Sequence, residues 1–352
     1  MKSIKILLAI CFFSGFTALA QDNRTQSFCE RINESFDHYE LSTKNLKNFT
    51  IHVKKSVKQG KKPLLLYLEG STNRPLYYTT KANFHKAVPL DIDKYADDYH
   101  IVIISKLTTP FCDSLQEDEK GRAWYPLEHN YNNLYSLDWR VESASETIDF
   151  MFKKLDIDKE KVIVIGYSEG ADVAPRVAVK NKKVTHVICF GGNALNPFYN
   201  FLIEARLKAQ KGLISYDESQ KIVDSLYTEY EKIYADPKST SKHWYGETNL
   251  KWSSFTSTTP LESLLKLDIP ILYASGAKDD NQIIMDVDYA YLEFLRKGKT
   301  NLTYKVYPNC DHFFTEEKTM EDGTKKTENR IREVHQFALD WVNEKSTSLK
   351  HK

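Results

Sequence analysis

The sequence predicts an α/β fold with a mostly parallel central sheet and helices on both faces. Three observations predict it. Short β-branched apolar runs recur along the chain and alternate with segments of helical period. One run, Lys161-Val162-Ile163-Val164-Ile165, passes through Gly166-Tyr167-Ser168-Glu169-Gly170 into a segment that can open a helix. Two later runs, Ile269 to Ser275 and Leu302 to Tyr307, end just before Asp279 and His312.

From the N-terminus, Lys2 and Lys5 form a basic start, Ile6 to Phe13 an apolar core, and Ala18-Leu19-Ala20 a small-x-small cleavage site. The pattern predicts an export signal removed after Ala20, leaving a periplasmic or secreted chain that begins at Gln21. The apolar run is too short for a membrane span. A lipoprotein alternative would use Cys11, but bulky Ile10 precedes it where a small residue is expected. Residues 21–48 are polar and read as an N-terminal arm. Phe49 to Val53 alternates as an edge strand would, and Pro63 to Leu68 reads as the first central strand. The lysines 54, 55, 58, 61 and 62 around Gly60 read as a solvated hairpin tip.

His100 to Ser105 is the next strand, and Arg140 to Leu155 an amphipathic helix that leads to the Gly166–Gly170 turn. Pro175 falls near the start of the following helix, where proline is tolerated. Val184 to Phe190 is another buried strand, and His186 within it reads as a satisfied core residue. Ile331, Val334, Ala338, Trp341 and Val342 give the last helix its apolar stripe, and residues 346–352 a flexible tail. One α/β domain thus spans 49–345, which about 330 residues after the leader suffice to build.

Two stretches are too long for simple connections. Residues 106–139 are rich in aromatics, and residues 195–262 are largely helical through Tyr234. Both leave the same edge of the sheet. The second is expected to form a cap, with Trp244 and Trp252 as pocket candidates and an apolar or aromatic substrate group implied. For any single aromatic, packing the cap against the body is the commoner fate.

Ser168, Asp279 and His312 each lie just past the C-terminal end of a predicted parallel strand, where open α/β sheets place their ligand crevice. A G-x-S-x-G between strand and helix is a nucleophile elbow, whose glycines let strand and helix approach closely. Asp280 competes with Asp279, and the spacing from Gly276 favours Asp279. Asp311 should point away from the site, and Glu169 has a plain alternative as an acid in the first turn of a helix. His335 falls on the last helix, and His243 in the insertion.

Four motifs carry a resemblance to the α/β-hydrolase superfamily over roughly residues 63–345. They are Leu68-Glu69-Gly70-Ser71, the Gly166–Gly170 elbow, Gly276-Ala277-Lys278-Asp279 and Cys310-Asp311-His312-Phe313-Phe314. Leu155-Asp156-Ile157-Asp158 resembles the dienelactone-hydrolase and prolyl-oligopeptidase branches, which hold esterases, lactonases and serine peptidases. The resemblance implies a Ser168–His312–Asp279 triad and an oxyanion hole made by the amides of Ser71 and Glu169. Many relatives have His-Gly at the oxyanion turn where this chain has Glu69-Gly70, a departure that bears on the geometry there. The expected function is hydrolysis of a carboxylic ester. A peptide bond is the second reading, and a non-catalytic binding protein the third. A small-molecule or peptide acyl substrate is the expected partner, and no cofactor or metal is needed for this chemistry.

A formal net charge of +1 gives no electrostatic reason to invoke nucleic acid or an anionic membrane. With Cys11 lost to the leader, four cysteines allow three pairings. Cys189 reads as a free core thiol, and Cys29 with Cys112 is the favoured pair.

Overall fold

The structure is a computed structural model that describes residues 24–43, 46–126 and 128–349. The expected leader lies outside the described residues. Among the described residues no helix is long and apolar enough to cross a membrane.

Eight strands form the central sheet: β1 (Phe36–Thr43), β2 (Lys47–Lys54), β3 (Lys62–Leu68), β4 (His100–Ile104), β5 (Ile157–Tyr167), β6 (His186–Phe190), β7 (Ile271–Gly276) and β8 (Leu302–Tyr307). Their spatial order is β1-β2-β4-β3-β5-β6-β7-β8. β1, β2 and β4 pair antiparallel, and all pairs from β4 to β8 are parallel. Successive residues of the parallel strands point to opposite faces, so one strand feeds two cores. Leu64, Leu66, Val162, Val164 and Val187 face one core. It is closed by α2 (Leu137–Lys154), α3 (Glu169–Lys180) and α7 (Met285–Arg296). Leu65, Tyr67, Ile163, Ile165 and Ile188 face the other, closed by α8 (Ile331–Leu349) through Val334, Ala338, Trp341 and Val342.

Residues 195–262 form a mostly helical insertion. It holds α4 (Pro197–Gln210), α5 (Tyr216–Ala235) and α6 (Asn249–Thr256). Phe198, Tyr230, Ile233 and Trp252 give it an aromatic core of its own.

Several sequence expectations need correction. The arm is structured: helix α1 covers residues 24–34, and β1 takes the sheet edge, which moves β2 one place inward. In β1 the buried Phe36 is followed by exposed and half-buried residues, a pattern that hides an edge strand among polar residues. The lysine cluster is not a hairpin tip, because β4 lies between β2 and β3. Lys62 is buried and donates to Ser56 Oγ at 2.5 Å and to the Ala96 carbonyl at 3.3 Å. Helix α8 continues through the start of the expected tail, and Ser346 is buried.

Pro175 lies inside α3 rather than in its first turn. Proline cannot donate to the carbonyl four residues back; the Cys189 thiol, 3.5 Å away, donates to that Ala171 oxygen instead. Cys189 and Cys310 are buried free thiols, and Cys29 is joined to Cys112. His186 is buried, with Thr185 Oγ1 at 2.8 Å.

Candidate active site

The elbow follows from sterics. A Cβ on Gly166 would lie 2.0 Å from the Gly170 carbonyl oxygen, and one on Gly170 would lie 2.1 Å from that of Leu68. Only residues without a Cβ let β5, α3 and the end of β3 meet this closely. Between them Ser168 is held at φ 53° and ψ −123°, a conformation that L-residues rarely adopt and that surrounding packing must enforce. Its amide donates to the Phe190 carbonyl at 2.8 Å, which ties the turn to β6.

Asp279 follows β7 and His312 follows β8, and both side chains reach the elbow. His312 Nε2 is 3.2 Å from Ser168 Oγ, and His312 Nδ1 is 2.8 Å from Asp279 Oδ2. The other carboxylate oxygen, Oδ1, accepts from the amides of Asn281 and Gln282, both at 2.8 Å. Asp279 can therefore hold the imidazole with Nδ1 protonated, leaving Nε2 to accept from the serine. Tyr167 Oη donates to the His312 carbonyl at 2.7 Å and fixes the histidine loop to the end of β5. Asp280 is exposed and lines the cavity over Ser168, while the carboxylate at His312 Nδ1 is that of Asp279; Asp311 accepts from the amides of Phe313 and Thr315 within its own loop.

A 160 Å³ cavity opens over Ser168. Ser71 and Glu169 line it beside the serine. Gly70 packs against the serine so closely that a Cβ on it would come within 3.1 Å of Ser168 Cβ. The insertion supplies Phe201, Lys251, Trp252 and Phe255 to one wall. Asp172, Asn193, Asn200 and Gln282 add polar groups to the lining. Burial raises the Asp172 carboxyl to about 7, against the opposing pull of Arg176 and of the hydrogen bonds the carboxylate accepts from Asn193.

Trp252 reaches the cavity. Trp244 does not line it and packs instead in the aromatic core of the insertion, 5.3 Å from the Trp252 ring and 5.8 Å from Phe198. Its carbonyl accepts from Trp252 Nε1 at 2.7 Å. Of the two tryptophans expected at the pocket, Trp252 lines this cavity and Trp244 does not. His243 is exposed on the insertion and His335 is a buried residue of α8, both apart from the cavity lining.

Sequence reading overlooked a set of buried charges at the site: Lys106, Arg140 and Lys251, with Glu69 and Glu169 between them. Glu169 is not a solvated helix acid. Burial opposes its ionisation, but Lys251, Lys106, Arg140 and a hydrogen bond from Tyr135 together lower it to about 2. The only signal in the sequence was position. Lys106 directly follows strand residues, and Arg140 and Lys251 fall among apolar neighbours on their helices. Among the described residues no cluster of three or more His, Cys, Asp or Glu side chains could hold a metal ion.

The fold and the placement of Ser168, Asp279 and His312 at strand ends define an α/β-hydrolase fold. No family model matches the sequence, and no curated protein matches it. Solved structures do match. The chain is similar to a putative dipeptidyl aminopeptidase IV from Bacteroides ovatus, with a TM-score of 0.54 and 12% identity over 88% of this chain. It is similar to dipeptidyl peptidase 4 of Porphyromonas gingivalis, with a TM-score of 0.52 and 12% identity over 88% of this chain. The chain spans only about a third of those peptidases, 36% and 35% of their lengths. The α/β-hydrolase GrgF from Penicillium matches over nearly its whole length, 99%, and over 89% of this chain, with a TM-score of 0.51 and 12% identity. At these identities the likeness is one of fold.

Proposed function

We propose that the chain is an exported serine hydrolase that cleaves a small carboxylic ester through an acyl-enzyme. The observation that carries this reading is the hydrogen-bonded Ser168–His312–Asp279 chain at the mouth of a cavity. In the forward step Ser168 Oγ attacks the ester carbonyl while His312 Nε2 takes its proton. Asp279 holds the other imidazole nitrogen and stabilises the imidazolium. The Ser71 and Glu169 amides donate to the oxyanion of the tetrahedral intermediate, each worth about 10²–10³-fold. Collapse expels the alcohol, which takes the proton from His312. Water then enters by the same route and releases the acid. No step calls for a metal or organic cofactor.

The 160 Å³ cavity supports a small acyl or alcohol group over an extended peptide. The insertion acts as a cap, with Trp252, Phe201 and Phe255 shaping the pocket and limiting water. Amide hydrolysis is the second reading, carried by the fold shared with two dipeptidyl-peptidase structures. A panel of p-nitrophenyl esters run beside aminoacyl and prolyl amides separates the two. Higher kcat/KM on short esters is expected, and preference for an amide reverses the assignment.

A further inference from the structure

We infer that Lys106, Arg140 and Lys251 are positioning residues for the oxyanion hole, acting through the backbone of Glu69-Gly70-Ser71 and the carboxylate of Glu169. This rests on the acyl-transfer reading above. The ammonium of Lys106 donates to the Gly70 carbonyl, and Arg140 Nη2 donates to the Glu69 carbonyl at 2.7 Å. Across a planar trans peptide the carbonyl and the following N–H point in opposite directions. A cation that holds the Gly70 oxygen therefore sets the direction of the Ser71 N–H, and Gly70 is the residue packed against Ser168.

The second donor is fixed through its own side chain. Glu169 Oε1 accepts from Tyr135 Oη at 2.5 Å and lies 3.5 Å from Arg140 Nη1, while Oε2 lies 3.0 Å from Lys251 Nζ. Arg140 thus bridges both sides of the hole, since the same Nη1 is 3.6 Å from Glu69 Oε1. This gives Glu69 a place: the residue that departs from the usual histidine packs its carboxylate against Arg140. The ionic side chains of Glu69, Arg140, Glu169 and Lys251 are each at most 10% exposed. Buried ion pairs are poor stabilisers compared with apolar packing, but they orient backbone well. Lys251 belongs to α6 of the insertion, so the segment over the pocket also secures the elbow.

The test uses Lys251→Met, Lys251→Arg and the paired Lys251→Met/Glu169→Gln in the full chain. Thermal denaturation reports folding. Kinetics are measured on p-nitrophenyl acetate and on its thionoester, whose sulfur is a poor acceptor for the hole. Folded Lys251→Met should lose roughly 10²-fold in kcat, as a displaced catalytic geometry does. Its preference for ester over thionoester should fall, and Lys251→Arg should recover most of both. The paired variant removes both charges together, so it remains informative where the single variant does not fold, and it carries the same expectation. Wild-type kcat in a folded variant overturns the inference. So does a loss of kcat with the thionoester preference unchanged. A wild-type protein that neither turns over p-nitrophenyl acetate nor reacts with a fluorophosphonate at Ser168 overturns the hydrolase reading, and the inference with it.

Discussion

Gly170→Ala should damage activity more than stability, and the structure says by how much. The added Cβ would lie 2.1 Å from the Leu68 carbonyl oxygen and 2.9 Å from that of Glu69. An ordinary non-bonded contact is roughly 3.5 Å, so either the end of β3 or the start of α3 must move by more than roughly 1 Å. Both contacts are backbone, and no flexible side chain can absorb the shift. Overpacking of this kind costs about 1–3 kcal/mol, within the reserve of a domain this size. The displaced atoms lead directly into Gly70 and Ser71 on one side and the elbow on the other. A misplacement of that size costs about 10²-fold in rate. The assay pairs urea denaturation with steady-state ester hydrolysis. A folded variant with more than half of wild-type kcat would refute the claim that this close approach sets the geometry of the site.

Asp279→Asn should lower kcat by about 10⁴-fold by favouring the wrong histidine tautomer. Asp280→Asn should have little effect, and steady-state kinetics on both variants distinguish the two carboxylates. Trp252→Ala should raise KM or shift ester preference, while Trp244→Ala should mainly destabilise the insertion, by roughly 2 kcal/mol for a half-buried aromatic; calorimetry beside kinetics separates these outcomes. Glu169 is lowered to about 2 from an ordinary 4.5, so its stabilising contribution is present above pH 4.5 and lost as pH falls toward 2. That contribution is about 3 kcal/mol. Denaturant melts should show wild-type stability falling more steeply below about pH 5 than that of Glu169→Gln.

The central strands from Lys62 to Gly276 were legible because they are buried on both faces and carry apolar runs. Ser168, Asp279 and His312 stood out because each follows a predicted strand, although that before His312 mixes polar residues with apolar ones. β1 was not legible. An edge strand needs only one apolar side, and Asp37, His38 and Glu40 disguise it. The tryptophans divided for a related reason, since sequence shows that an aromatic will be covered but not by what. The charge network was the least accessible part. Nothing local marks Lys251 as the partner of Glu169, or Arg140 as that of Glu69, because each pair is joined only when the insertion and α2 meet the elbow. A buried lysine and a surface lysine look alike until the chain is folded.

The central claim is that Ser168 is an activated nucleophile, and a fluorophosphonate probe followed by peptide mass spectrometry tests it most directly. The account predicts a single covalent adduct on Ser168, abolished in Ser168→Ala, with kcat of that folded variant lowered by about 10⁴–10⁶-fold. An unlabelled Ser168 in folded wild-type protein, or a Ser168→Ala variant that keeps a tenth of wild-type turnover, would contradict it.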